Sequence, residues 1–93
     1  MSDALAALEQ TLVDRRTNRP EGSYSVTLFD DPELVQRKIM EEAFEVCLEL
    51  GRSPIDPERV ASEAADLVYH LLAGLASVEV PVESVYAELA RRR

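Results

Sequence analysis

Apolar residues recur at helical spacing along most of the chain. Leu5, Leu8 and Leu12 repeat at intervals of three and four, which predicts a first helix from an N-cap at Ser2 to about Arg16. Residues 17–31 break the periodicity. Pro20 and Gly22 punctuate this stretch, and Ser23–Phe29 alternates only weakly. A lone strand would have nothing to pair with, so the segment is expected to be an ordered loop. Asp31-Pro32 supplies an N-cap and a first helical residue, predicting a second helix that runs to Leu50 and stops at Gly51. Asp56-Pro57 repeats the signal for a third helix to about Ser77, and Pro81 opens a short fourth segment to about Leu89. The basic run Arg91-Arg92-Arg93 complements the last helix C-terminus. The expectation is an all-α, four-helix chain with a single domain over residues 1–93.

The second and third helices invert the usual surface pattern. On a wheel of about 100° per residue, Lys38, Glu42, Glu45 and Glu49 fall within roughly 60°, and Glu41 lies about 40° beyond Glu45. Val35, Ile39, Met40, Ala43, Phe44, Val46, Cys47, Leu48 and Leu50 occupy most of the rest. On the third helix Glu63, Asp66 and His70 share a similar arc, while Leu67, Val68, Leu71, Leu72, Leu75 and several alanines cover roughly 200°. Helices so broadly apolar must be covered on more than one side. Too few helices exist in one chain to do this, so a second copy is expected against them, forming a dimeric helical bundle.

Packed antiparallel, the two helices can bring their acidic stripes together. Glu42, Glu45, Glu63 and Asp66 would then converge, an arrangement that ionised carboxylates tolerate when cations sit among them. An all-oxygen donor set suits Mg²⁺ or Mn²⁺ rather than zinc, and Mg²⁺ commonly completes its shell with substrate phosphates. The plain alternative is a solvated acidic face, since carboxylates at i, i+3 are common on exposed helices. Two such motifs on consecutive, otherwise apolar helices favour the metal site.

Composition narrows the partners. Ten Lys and Arg against eighteen Asp and Glu give the 93-residue chain a net charge of −8. That disfavours binding to a nucleic-acid backbone or to an anionic membrane surface. It does not exclude a charged small nucleotide, which metal at those carboxylates would bind. A single cysteine rules out an internal disulfide, and Cys47 is expected to be a buried small hydrophobe. No apolar run approaches membrane-spanning length, and Met1-Ser2-Asp3-Ala4-Leu5 lacks signal-peptide features, so a cytoplasmic protein is expected. A chain this short buries only roughly 60–65% of its unfolded surface, a further reason to expect oligomerisation.

Three blocks carry a family resemblance. Ser23-Tyr24-Ser25-Val26-Thr27-Leu28-Phe29, Arg37-Lys38-Ile39-Met40-Glu41-Glu42-Ala43-Phe44-Glu45-Val46 and Glu63-Ala64-Ala65-Asp66-Leu67-Val68-Tyr69-His70-Leu71-Leu72 resemble segments of the phosphoribosyl-ATP pyrophosphatases. These are a branch of the MazG-like all-α nucleotide pyrophosphohydrolases. The match covers roughly residues 5–92, and Tyr69-His70 after Asp66 is its most specific part. Met40 departs from a frequent glycine.

The resemblance implies Mg²⁺-dependent hydrolysis of phosphoribosyl-ATP to phosphoribosyl-AMP and pyrophosphate, an early step of histidine biosynthesis. Many relatives carry a fused cyclohydrolase domain for the next step, which is here expected to fall to another protein. By resemblance, Glu42, Glu45, Glu63 and Asp66 match metal-binding positions. Glu41, Glu42 and Glu45 form the candidate catalytic motif, with Glu41 as a further ligand or a base.

Lys38 and Arg37 are candidate phosphate contacts, although Lys38 could equally pair with Glu42. Ser23, Tyr24 and His70 are candidate substrate contacts, against loop packing for the first two and a satisfied bundle histidine for the third. Tyr69 is expected in the core. Two other functions stay open: the same chemistry on a deoxynucleoside triphosphate, and a non-catalytic helical dimer.

Overall fold

The computed structural model describes residues 3–93, which form five α-helices and, among the described residues, no strand. They are α1 (Asp3–Asn18), α2 (Tyr24–Phe29), α3 (Pro32–Leu50), α4 (Pro57–Ser77) and α5 (Val82–Arg91). The all-α expectation holds, and the count of four is corrected to five. The expected N-cap at Ser2 lies outside the described residues.

The two Asp-Pro starts form as their local chemistry dictates. Asp31 Oδ1 accepts the Leu34 backbone N–H at 3.1 Å. Asp56 Oδ1 accepts those of Glu58 and Arg59 at 3.1 and 3.3 Å. Each cap satisfies otherwise orphaned donors and is worth about 1 kcal/mol. Gly51 ends α3 as expected, but with φ −91° and so in the right-handed region, its N–H reaching Cys47 O and Leu48 O.

The additional helix, α2, lies inside the segment expected to be loop. It spans 6 residues, too few for a periodic signal to stand out. Gly22 turns the chain at φ +79°, a region open to glycine, and Ser23 enters the helix in extended conformation. Ser25 and Leu28, three apart, are then fully buried beneath it.

α3 and α4 make the most extensive contact, and α1 and α2 both pack on α4. The core is Leu12, Leu28, Val35, Leu72, Ala73, Ala76 and Val82. At Gly74 a Cβ would stand 3.3 Å from Ile39 Cδ1, so glycine permits the close approach of α4 to α3. Arg16 Nη1 donates to the Ala76 carbonyl at 2.6 Å, and the Val82 N–H donates to Glu9 Oε2 at 2.8 Å, tying α1 to the end of α4 and the start of α5.

One apolar face is left uncovered. Met40, Phe44 and Leu48 follow one another at i, i+4 and i+8 on α3, with Phe44 64% exposed, and Leu71 on α4 and Val78 just after it are exposed. Cys47 is exposed too, which corrects the expectation of a buried thiol: it lies on the side of α3 away from the core. No single described helix is long and apolar enough to cross a membrane.

Leu28→Ala should lower stability by about 2–4 kcal/mol, because it opens a cavity where α2 meets the core. Denaturant unfolding of the variant checks this, and an unchanged midpoint would place α2 outside the folded unit.

Candidate active site

Cross-helix pairs show how α3 and α4 run. Glu49 meets Arg59, Glu45 and Glu63 converge, Glu42 lies beside His70, and Ile39 faces Gly74. Numbers fall along α3 as they rise along α4, so the helices are antiparallel and their acidic stripes share a groove.

Within this groove Glu42, Glu45 and Glu63 each bring one carboxylate oxygen within 4.8 Å of the others. Glu42 is only 7% exposed. Its pKa is raised, first by burial and then by the charges of Glu45 and Asp66, against partial relief from Lys38 and His70. Glu63 is likewise raised, by burial first, then by Glu45 and by Asp66 and Glu42. Asp66 is exposed and stands at the edge of the group, close enough for its charge to act on both. A group of carboxylates that repel one another, with oxygen donors alone, fits a hard divalent cation.

Lys38 closes one end of the groove. Its Nζ lies 3.6 Å from Glu41 and 3.8 Å from Glu42. Burial would lower its pKa, but Glu41, Tyr24 and Glu42 outweigh that, and the ammonium is held more firmly charged. Glu41 therefore faces Lys38 rather than joining the three converging acids. Arg37 is exposed and is not drawn into this cluster.

Tyr24 and His70 meet across 46 positions of sequence. The His70 Nδ1 lies 2.9 Å from the Asp66 carbonyl oxygen, which can only accept, so Nδ1 carries the proton. Nε2 is then the acceptor, and the Tyr24 hydroxyl donates to it at 2.9 Å. The Tyr24 pKa is raised, mainly by burial. The Tyr69 ring stacks on Tyr24 at 6.2 Å, and its hydroxyl lies 2.8 Å from Ser25 Oγ. These contacts lock α2 beside the Lys38 end of the groove. Ser23 Oγ is buried and, among the described residues, is the side-chain polar atom so buried that has no hydrogen-bond partner.

The model of the family described as phosphoribosyl-ATP pyrophosphohydrolase matches residues 5–93. This chain belongs to the phosphoribosyl-ATP pyrophosphohydrolase family. It is 38% identical to the phosphoribosyl-ATP pyrophosphatase of Halobacterium salinarum, over 100% of both chains. It is 43% identical to that of Sulfurisphaera tokodaii, over 98% of this chain and 96% of the relative. Against the histidine biosynthesis bifunctional protein his7 of Schizosaccharomyces pombe it is 48% identical over 73% of this chain, which spans 15% of that larger protein.

In this member of the family the structure brings Glu42, Glu45 and Glu63 together, sets Asp66 at their edge, and gathers Lys38, Tyr24 and His70 at one end. Sequence reading placed Glu49 on the stripe without a role. It is 2% exposed and bound by Arg52 at 2.9 Å and Arg59 at 3.0 Å. The hydrogen bonds from Arg59, and then those from Arg52, hold its pKa down despite burial. A glutamate in the polar stripe, with arginines on either side of the turn that follows, was the available signal.

The raised pKa values set a pH dependence. Protonating Glu42 or Glu63 relieves repulsion in the fold, so this contribution to stability is complete below the ordinary value of 4.5 and is lost as pH rises through their elevated values. In the presence of EDTA, melting temperature should fall between pH 4.5 and neutrality. Glu63→Gln should flatten that fall, and scanning calorimetry with equal slopes in both proteins would contradict it.

Proposed function

We propose that this chain is a cytoplasmic hydrolase that converts phosphoribosyl-ATP to phosphoribosyl-AMP and pyrophosphate in histidine biosynthesis, with Mg²⁺ at Glu42, Glu45 and Glu63 and with Asp66 in reach. Mn²⁺ is the expected substitute. The observation that carries the reading is the convergence of three carboxylates within 4.8 Å in a groove of a family member. When bound, the cation neutralises phosphate charge and lowers the pKa of water.

The remaining work falls to the chain's own side chains. Lys38 is charged at the mouth of the groove and meets an incoming phosphate oxygen. Glu41 lies outside the converging three, 3.6 Å from Lys38, and on this reading is the base that takes a proton from the attacking water. The water oxygen bonds to phosphorus, and the bridging oxygen between the α- and β-phosphates leaves with pyrophosphate. Little covalent work is asked of the protein, so positioning dominates. Tyr24, half exposed and with its hydroxyl direction fixed by His70, flanks the same end and suits contact with the nucleotide, and Ser23 precedes it at the start of α2.

The uncovered face of Met40, Phe44, Leu48 and Leu71 supports a homodimer. It lies on the side of α3 away from the acidic stripe, so a second copy could cover it and leave the groove open.

A panel of phosphoribosyl-ATP and nucleoside triphosphates, assayed for pyrophosphate release with Mg²⁺ and with EDTA, tests the proposal. Turnover of phosphoribosyl-ATP should require metal, and Glu45→Ala should reduce it by about a hundredfold to a thousandfold while the helical content survives. Turnover of dCTP or dUTP with none of phosphoribosyl-ATP would overturn the substrate, and full activity of Glu45→Ala would overturn the metal site.

A further inference from the structure

The acidic groove poses a problem for a polyanionic substrate. Lys38 offsets it at one end only. At the other end, one helical turn beyond Glu45 on α3 and one turn before Glu63 on α4, stand Glu49 and Arg59. A turn is about 5.4 Å, comparable to the step between neighbouring phosphates of a chain to within a few ångströms.

Glu49 is almost wholly buried, and its two oxygens are divided between two arginines. Oε1 accepts from Arg52 Nε at 2.9 Å, and Oε2 accepts from Arg59 Nε at 3.2 Å and Nη2 at 3.0 Å. Glu49, Arg52 and Arg59 taken together carry one net positive charge, and the nearby carboxylates of Glu63 and Asp56 also act on Arg59. Both arginines are exposed. The hydrogen bonds to Glu49 leave Arg59 Nη1 and both terminal nitrogens of Arg52 available as donors, and a guanidinium fork matches phosphate geometry. A cavity of about 240 Å³ opens beside Arg59, lined by that residue with Ser62 and Glu63. A single cavity is thus lined by a guanidinium, a hydroxyl and one of the three converging carboxylates.

We propose that Arg59 and Arg52, held by buried Glu49, form with Ser62 an anion subsite for the terminal phosphates of the nucleotide, the part that leaves as pyrophosphate. This rests on the phosphoribosyl-ATP reading for the substrate, but the subsite itself is defined by pyrophosphate chemistry. The buried carboxylate orients the guanidiniums before the ligand arrives, so little side-chain freedom is lost on binding. Lys38 at one end and the arginines at the other then bracket the metal position along the groove.

The test is the affinity of inorganic pyrophosphate in the presence of Mg²⁺, read by calorimetry on the full chain and as an inhibition constant against phosphoribosyl-ATP. Arg59→Ala should weaken pyrophosphate binding by about tenfold to a hundredfold, the range for losing a hydrogen bond to a charged group. KM should rise with it, and kcat should change far less. Arg52→Ala, in an exposed turn, keeps the Arg59–Glu49 pair and should weaken binding by a smaller factor. Glu49→Gln keeps both arginines but loosens their orientation, and should lower the melting temperature and weaken pyrophosphate binding by a smaller factor than Arg59→Ala.

Unchanged pyrophosphate affinity in both arginine variants would overturn the subsite. So would equal losses in Glu49→Gln and Arg59→Ala, because binding would then follow the hairpin's integrity rather than the guanidinium. Because calorimetry reads pyrophosphate directly, a wild-type protein that fails to turn over phosphoribosyl-ATP would refute the substrate and leave this measurement intact.

Discussion

Repulsion among Glu42, Glu45 and Glu63 is the constraint around which the rest of the chain is arranged. Three carboxylates within 4.8 Å of one another, one of them nearly buried, oppose the packing that brings them together. Other contacts of α3 and α4 must therefore hold the pair closed. At one end Glu49 binds Arg52 and Arg59, and at the other Gly74 lets Ile39 close on the α4 backbone. Asp31 and Asp56 fix where each helix begins, and so fix which residues face the groove. On the proposed reading, the charge opposition makes the site receptive to a cation, and the surrounding contacts keep the helices assembled against it.

The same economy explains the shape of the molecule. Among the described residues the core contains seven buried hydrophobic ones, while Met40, Phe44, Leu48, Leu71, Val78 and others remain at the surface. The chain devotes one side of α3 to acids and the other to an apolar face with no cover of its own. A second copy on that face would complete the burial that a single chain this small does not reach.

Much of this was legible in the residues. Asp-Pro followed by helical periodicity located α3 and α4 because capping is local chemistry, and the wheel put Glu42, Glu45 and Glu63 on facing stripes because spacing fixes direction. What spacing did not show were the pairings between distant elements. The bond from Tyr24 to His70 joins residues 46 apart, and Glu49 acquires its role only when α4 folds back to present Arg59. α2 escaped notice because 6 residues cannot display a period, although Ser25 and Leu28 already had the right separation. Cys47 was misplaced because apolar neighbours on a wheel do not reveal which side of the helix finds a partner.

The most direct test of the central claim compares melting temperature against Mg²⁺ concentration for the wild-type chain and for Glu63→Gln, both starting from metal-free protein. If the carboxylates oppose the fold until a cation joins them, the variant starts higher, and only the wild type climbs steadily with added Mg²⁺. A variant that starts lower, or that climbs in parallel with the wild type, would contradict the account.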